Sequence, residues 1–126
     1  MTTTPADVRV YLDNLSDDRV KDPVIQKQLE LTTRRVNAEK SEIATAESIA
    51  DAILTNTGYA VYLAYTSQYE RTAGQLPAQM LANLGLYAEA ANYFMGLAMR
   101  GTVVTKTITS PIASLITEVR NGNYES

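Results

Sequence analysis

Residues 77–101, PAQMLANLGLYAEAANYFMGLAMRG, carry the clearest structural signal in this chain. Apolar and aromatic residues recur in this stretch at alternating steps of four and three, the spacing of one face of an α-helix. They are Met80, Leu84, Tyr87, Ala91, Phe94 and Ala98. Pro77 suits the beginning of a helix and Gly101 suits the position just past its end. The stretch therefore predicts a helix from Pro77 to Arg100.

Part of this helix carries very little side-chain bulk. The small residues concerned are Ala82, Gly85, Ala88 and Gly96. Because small side chains let two helix backbones come close together, we expect another helix to pack tightly against this side.

Proline also marks where other helices begin. Pro5, Pro23 and Pro111 follow threonine, aspartate and serine, which are residue types that cap helix N-termini. The first helix is predicted to run only from Pro5 to Leu12, because the Asp13-Asn14 pair favours a turn. The second helix begins at Pro23 and has one largely apolar stripe. Its members are Ile25, Leu29, Thr32 and Val36.

The segment from Val24 through Thr57 contains neither glycine nor proline, so it has no obvious helix stop. One continuous helix and a break near residues 37–41 are both compatible with its pattern. We predict one helix over residues 45–72, which ends before Gly74. Together these elements predict an all-α fold, a small bundle of about four to five helices with an extended C-terminal arm and a terminal helix.

Residues 102–109 differ from the helices before them because they are almost all β-branched, as in an extended strand. The sequence offers no second strand, so this segment lies on the core as an arm, pairs with another chain, or is a linker bonded to water. A terminal helix then begins at Pro111. Its apolar face consists of Ile112, Leu115, Ile116 and Val119. We predict a helical core over residues 1–101 and an arm with a docking helix over residues 102–126.

Cysteine and histidine are both missing from the 126 residues. Without cysteine there is no thiol nucleophile or thiolate metal site, and without histidine there is no Ser-His-Asp triad. No phosphate-binding glycine motif is present. Four acidic residues could form an acid–base pair or a hard-metal site, although a solvated helix face explains them equally well. They are Glu39, Glu42, Glu47 and Asp51. The sequence predicts no enzyme, no cofactor and no metal.

Charge is distributed unevenly along the chain. The net charge of −3 gives no general attraction to nucleic acid or to acidic membranes. Residues 1–51 hold 17 of the 25 charged side chains, which leaves 8 for residues 52–126. A charge-poor half favours surfaces that another subunit covers, although a central helix pair wrapped by the rest of the chain would have the same composition.

Four tyrosines recur at helical spacing in the third predicted helix, at Tyr59, Tyr62, Tyr65 and Tyr69. Tyrosine combines a large apolar ring with a hydroxyl that tolerates partial wetting, which suits protein interfaces. The alternative is a core stripe whose hydroxyls reach the rim. We therefore predict an assembly interface formed by these tyrosines and by a C-terminal set. That set is Val103, Val104, Ile108, Ile112, Leu115, Ile116 and Val119.

Several short stretches share a pattern with one known family. They are TTPADVRVYL at residues 3–12, the acidic turn at 16–18, AVYLAYTSQYER at 60–71, and the Leu76-Pro77 step. In this order they resemble the head-to-tail connector proteins of tailed bacteriophages, also called adaptor or head-completion proteins. The resemblance covers about residues 3–80. The long fourth helix and the arm beyond it depart from the pattern.

The resemblance implies a structural virion protein without catalysis. About a dozen copies would form a ring that joins the DNA-filled head to the tail and lines the DNA exit channel. The expected partners are copies of itself, the portal protein, and tail or neck proteins, with DNA only passing through and no membrane. Assembly in the host cytoplasm would place the protein in the virion neck. The alternative is a soluble helical adaptor or regulator that binds one protein partner.

Overall fold

The structure is a computed structural model, which describes residues 3–16 and 19–100. Within these ranges the chain forms four α-helices. They are α1 (Pro5–Tyr11), α2 (Asp22–Glu39), α3 (Ala46–Ala73) and α4 (Ala78–Arg100). The described ranges contain no strand, so the prediction of a small all-α bundle is confirmed. The predicted arm and terminal helix over residues 102–126 lie outside the described residues.

The ends of the helices follow from local backbone chemistry. The Thr4 hydroxyl accepts a hydrogen bond from the Asp7 N–H (3.3 Å) and the Asp7 carboxylate accepts one from the Thr4 N–H (2.9 Å), so α1 has a complete capping box. Just after α1, Asp13 and Asn14 adopt φ values of 57° and 62°. Aspartate and asparagine tolerate this left-handed conformation better than other non-glycine residues. Gly74, at φ 86°, ends α3 in a similar way.

The sequence allowed either one continuous helix or a break near residues 37–41. The structure has the break, because α2 ends at Glu39 and α3 begins at Ala46. Lys40 takes an extended conformation, and the Ser41 N–H donates to the Ala98 carbonyl oxygen at the end of α4 (2.9 Å). The next helix begins after Thr45, whose hydroxyl oxygen accepts from the Ser48 N–H (3.0 Å). A contact with a distant helix therefore stops α2, although no glycine or proline marks the place.

The helix α3 is central, because it packs against α1, α2 and most extensively α4. One core cluster joins α1, the loop after it, the beginning of α2, the middle of α3 and the middle of α4. It consists of Val8, Tyr11, Leu12, Leu15, Val20, Ile25, Val61, Tyr62 and Tyr87. A smaller cluster lies near the break between α2 and α3 and consists of Val36, Ala52, Met95 and Ala98. The predicted stripe of α2 is buried along its whole length.

Because neighbours surround α3, it buries polar residues as well as apolar ones. The Asn56 side-chain amide donates to the Ala52 carbonyl oxygen (2.9 Å) and to the Ala91 carbonyl oxygen of α4 (3.1 Å). The second bond ties the two long helices together at mid-length. A buried amide of this kind is stable because both of its N–H groups have acceptors.

Candidate functional site

The four tyrosines of α3 run from the core to the surface. Tyr62 is buried, whereas Tyr59, Tyr65 and Tyr69 are only partly buried. The Tyr62 and Tyr65 ring centroids are 5.8 Å apart, and those of Tyr65 and Tyr69 are 6.4 Å apart, both in edge-to-face contact. Tyr62 therefore fits the core alternative, while Tyr65 and Tyr69 keep surface that a partner could contact.

A second group of rings lies at the inner end of this row. The Tyr87 ring of α4 is 4.8 Å from that of Tyr62 and 5.7 Å from that of Tyr11 between centroids. Burial raises the pKa of all three hydroxyls, and the Asp13 carboxylate raises the pKa of Tyr87 further. These hydroxyls therefore stay protonated at neutral pH and can act as hydrogen-bond donors.

The loop between α1 and α2 is held in place by one arginine. The Arg9 guanidinium donates to the carbonyl oxygens of Leu15 (3.1 Å) and Val20 (2.7 Å), and it pairs with the Asp22 carboxylate at 2.6 Å. Charge-assisted bonds to two parts of one loop fix its path. The loop consequently presents Asp13 and Arg19 toward the tyrosines of α3 and α4.

An open cleft of about 280 Å³ lies between this loop, α3 and α4, and we call it the tyrosine cleft. Its polar residues are Asp13, Asn14, Ser16, Arg19, Tyr62, Tyr65, Asn83 and Tyr87. Arg19 donates to the Tyr65 hydroxyl, and its guanidinium carbon lies 5.8 Å from the centre of the Tyr65 ring. The Tyr87 hydroxyl bonds to Asp13. The tyrosine cleft can offer hydrogen bonds and both signs of charge to a polar group, which suits binding.

The acidic residues that could have formed an acid–base or metal site do not form a metal cluster. Among the described residues, no group of three or more metal-binding side chains comes together. Glu39 pairs with Arg35 at 3.3 Å on the same helix. Among these four acidic residues, Asp51 has a raised pKa. Burial and then the charge of Glu47 raise it to about 6. One of its carboxylate oxygens is buried and has no hydrogen-bond partner within the described residues.

The helix α4 buries one side only. We call the opposite side the α4 outer face. It consists of Ala78, Leu81, Ala82, Gly85, Glu89, Asn92, Tyr93, Gly96, Met99 and Arg100. Leu81, Tyr93 and Met99 are 53%, 40% and 49% exposed, and only Glu89 and Arg100 carry charge. A Cβ added at Gly85 would meet no atom within 4 Å, so none of the described residues covers the middle of this face.

The small residues of α4 were expected to receive another helix. Ala82 and Gly85 are instead exposed, and Ala88 and Gly96 are half-exposed. Within the described bundle, α4 packs through a different side. Its buried residues are Tyr87, Ala90, Ala91, Phe94, Met95, Leu97 and Ala98. The part of this side that carries Ala82 and Gly85 therefore remains free for contacts beyond the described part of the chain, whereas the Arg100 guanidinium lies over Gly96.

The remaining predicted interface residues are those of the C-terminal set, from Val103 to Val119, and they lie outside the described residues. Sequence reasoning missed the tyrosine cleft as a site. Its polar groups come from the loop after α1, from α3 and from α4, and no local motif links them. Tyr87 was predicted, but only as a member of the buried stripe of α4.

Comparisons with known proteins give no relative for this chain. No family model, curated protein or solved structure matches it. Among the described residues, no helix combines the length and the apolar composition that crossing a lipid bilayer requires. Functional inference therefore starts from the tyrosine cleft and the α4 outer face.

Proposed function

We propose that this protein is a structural subunit that assembles with copies of itself into a ring, and that the ring connects the head of a tailed bacteriophage to its tail. The observation that carries this proposal is the α4 outer face. It extends along a helix of 23 residues and has only two charged side chains. Leu81, Tyr93 and Met99 expose apolar surface on this face, and covering that surface with another chain gains free energy.

The positions of the helices support the link to the connector family. The opening stretch at residues 3–12 contains α1 and its capping box. The Tyr69-Glu70-Arg71 triplet lies in the last turn of α3, and the Leu76-Pro77 step lies directly before α4. These three stretches therefore coincide with helix beginnings and ends, which is where short motifs have a structural meaning. The acidic turn at residues 16–18 lies mostly outside the described residues.

A closed ring needs two different surfaces on each subunit, because every copy contacts one neighbour on each side. The described bundle offers two such surfaces. The α4 outer face is one, and the partly exposed end of the tyrosine row, Tyr65 and Tyr69, is the other. A net charge of −3 is also compatible with a channel through which DNA slides, because a basic wall would bind the phosphates.

Native mass spectrometry of the purified protein, alone and mixed with a phage portal protein, tests the proposal. We expect a closed ring of about a dozen copies, or a complex with the portal of that order. A protein that remains monomeric under both conditions would contradict it.

The second candidate function is a helical adaptor that binds one protein partner. The tyrosine cleft favours it, because Asp13 and Arg19 lie beside aromatic rings in a cleft large enough for a single side chain of a partner. An adaptor of this kind would be a monomer or a simple dimer, so the same mass spectra distinguish the two functions.

A further inference from the structure

We infer that the α4 outer face of one subunit binds the outer face of α2 on a neighbouring copy of the same chain. The α2 outer face is the side of α2 opposite its buried stripe. It consists of Val24, Lys27, Leu31, Arg34 and Ala38. This inference rests on the proposed ring and names the contact between its subunits. Both faces consist of residues that the structure describes.

The α2 outer face combines exposed apolar residues with positive charge. Successive residues of a helix turn by about 100°, so its five positions fall within about a quarter of the helix circumference. Val24 and Leu31 are 42% and 46% exposed. Eight large apolar residues are exposed in the described part of the chain, and five of them lie on this face or on the α4 outer face. The uncovered apolar surface is therefore concentrated on two helix faces, and burying it gains free energy.

The two faces carry opposite charges at their centres. Glu89 lies in the middle of the α4 outer face, and Lys27 lies between Val24 and Leu31 on the α2 outer face. Neither Glu89 nor Lys27 forms an ion pair with another described residue. A purely apolar partner would remove water from the Glu89 carboxylate without replacing its hydrogen bonds, which costs free energy. The α4 outer face therefore favours a partner that carries a base between apolar residues, and the α2 outer face has this arrangement.

One chain cannot bring its own two faces together. The buried side of α2 packs against α3, and so does the buried side of α4. Because the two outer faces lie opposite these buried sides, a contact between them requires a second copy. Each copy then binds one neighbour through α4 and the other through α2, which is the directional arrangement that closes into a ring.

The two helices run in the same direction within a subunit. Ile25, near the beginning of α2, belongs to the same core cluster as Tyr87. Val36, near the end of α2, belongs to the other cluster together with Ala98, near the end of α4. Residues of α2 and α4 at the same height along the bundle therefore differ in number by about 60.

These heights match the two faces across a ring. Rotation about a ring axis parallel to the helices moves one subunit onto the next without changing the height of any residue. Lys27 of one copy then lies within about one helical turn of the height of Glu89 of its neighbour. Leu31 lies within about one turn of the height of Tyr93 in the same way. The ion pair and the apolar contact can therefore form together.

The exposed end of the tyrosine row belongs to the same side of the contact. It lies beside the beginning of α2, because Arg19 contacts Tyr65. Since α3 and α4 are antiparallel and Asn56 bonds to Ala91, Tyr65 is within about one turn of the height of Leu81. The tyrosine end and the α2 outer face can thus meet one continuous α4 outer face on the neighbouring copy.

Charge reversal across the contact tests this inference by native mass spectrometry, with and without the portal protein. Glu89→Lys and Lys27→Glu should each weaken self-association by roughly tenfold or more, because each places two like charges in the contact. An equal mixture of the two variants should restore the assemblies of the parent chain. Every contact between unlike subunits in that mixture again pairs a base with an acid.

Two controls accompany the charge reversals. Both substituted side chains are exposed, so the helical circular dichroism of each variant should equal that of the parent. Asn37→Glu adds a carboxylate to an exposed position of α2 outside its outer face, and this variant should assemble like the parent.

The possible outcomes separate this contact from the proposed function. Rings that persist in either Glu89→Lys or Lys27→Glu overturn the contact and leave the connector proposal standing. Two weakened variants whose mixture is not restored also overturn it, because the two faces would then not bind each other. A parent chain that remains monomeric alone and with the portal protein overturns both.

Discussion

The ring of Tyr11 lies directly against the backbone of Gly58. A Cβ at position 58 would be 2.6 Å from two carbon atoms of that ring, far inside van der Waals contact. Tyr11 is 2% exposed, so its ring cannot move aside into solvent. The glycine therefore lets α1 approach α3, although its position in the middle of a helix costs stability by itself.

The first prediction concerns this contact. Gly58→Ala should lower the free energy of unfolding by about 1–3 kcal/mol, because the added methyl group overpacks the core. Gly85→Ala is the matched control, since it adds the same group to a helix at a place with open space. It should raise stability by about 0.5–1 kcal/mol through helix propensity. Urea unfolding measures both, and a neutral Gly58→Ala would contradict the close contact.

The second prediction concerns the amide that links α3 to α4. Asn56→Asp replaces the donor to the Ala52 and Ala91 carbonyl oxygens with a carboxylate. The ionised form has no proton to donate and is repelled by both oxygens, whereas the protonated form can donate to one of them. We expect a larger loss of stability at pH 7 than at pH 4. Asn56→Ala should cost about 1–3 kcal/mol at both values.

The exposed Asn92 on the same pair of helices provides the control for this comparison. Asn92→Asp should change stability by no more than about 0.5 kcal/mol. If Asn56→Asp lowered stability equally at pH 4 and pH 7, the new carboxylate would be in contact with solvent. That result would contradict the burial of the Asn56 side chain.

The helices could be predicted from the sequence wherever the signal was local. Thr4, Pro5 and Asp7 together specify the beginning of α1, and Gly74 specifies the end of α3. The break after Glu39 could not be predicted from local residues of this kind. It depends on a hydrogen bond from Ser41 to Ala98, more than fifty residues away, and no nearby glycine or proline indicates it.

The third prediction is a pH dependence caused by Asp51. Burial, and then the charge of Glu47, raise its pKa from 3.8 to about 6. The folded state therefore binds this proton more tightly than the unfolded state does. Its contribution to stability is fully present below pH 3.8 and is lost as the pH rises to about 6. Asp51→Asn should remove this part of the pH dependence.

Above pH 6 the Asp51→Asn variant should be more stable than the parent by about 1 kcal/mol, less than the full shift implies because the carboxyl is partly solvated. Below pH 4 the two should be equally stable. Glu47→Gln should move the transition to lower pH by removing the neighbouring charge. Thermal unfolding from pH 3 to pH 8 measures these effects, and parallel curves for Asp51→Asn and the parent would contradict them.

The candidate site was less predictable than the fold. The spacing of Tyr62, Tyr65 and Tyr69 places them on one helix side, but burial of that side depends on the helices around it. The loop after α1 and Tyr87 of α4 cover Tyr62, while no described element covers Tyr69 to the same degree. The sequence alone therefore cannot tell which tyrosines of α3 are buried in the core and which remain at the surface.

The last prediction uses alanine substitutions to distinguish the buried tyrosine of α3 from the partly exposed one. Tyr62→Ala removes a buried ring that contacts the rings of Tyr65 and Tyr87, and it should lower the free energy of unfolding by about 3–5 kcal/mol. Tyr69→Ala removes a partly exposed ring, so it should lower stability by no more than about 1 kcal/mol. If Tyr69 forms part of the contact between subunits, its removal should nevertheless weaken self-association in native mass spectra. A Tyr69→Ala variant that assembles like the parent would show that Tyr69 is not part of the contact between subunits.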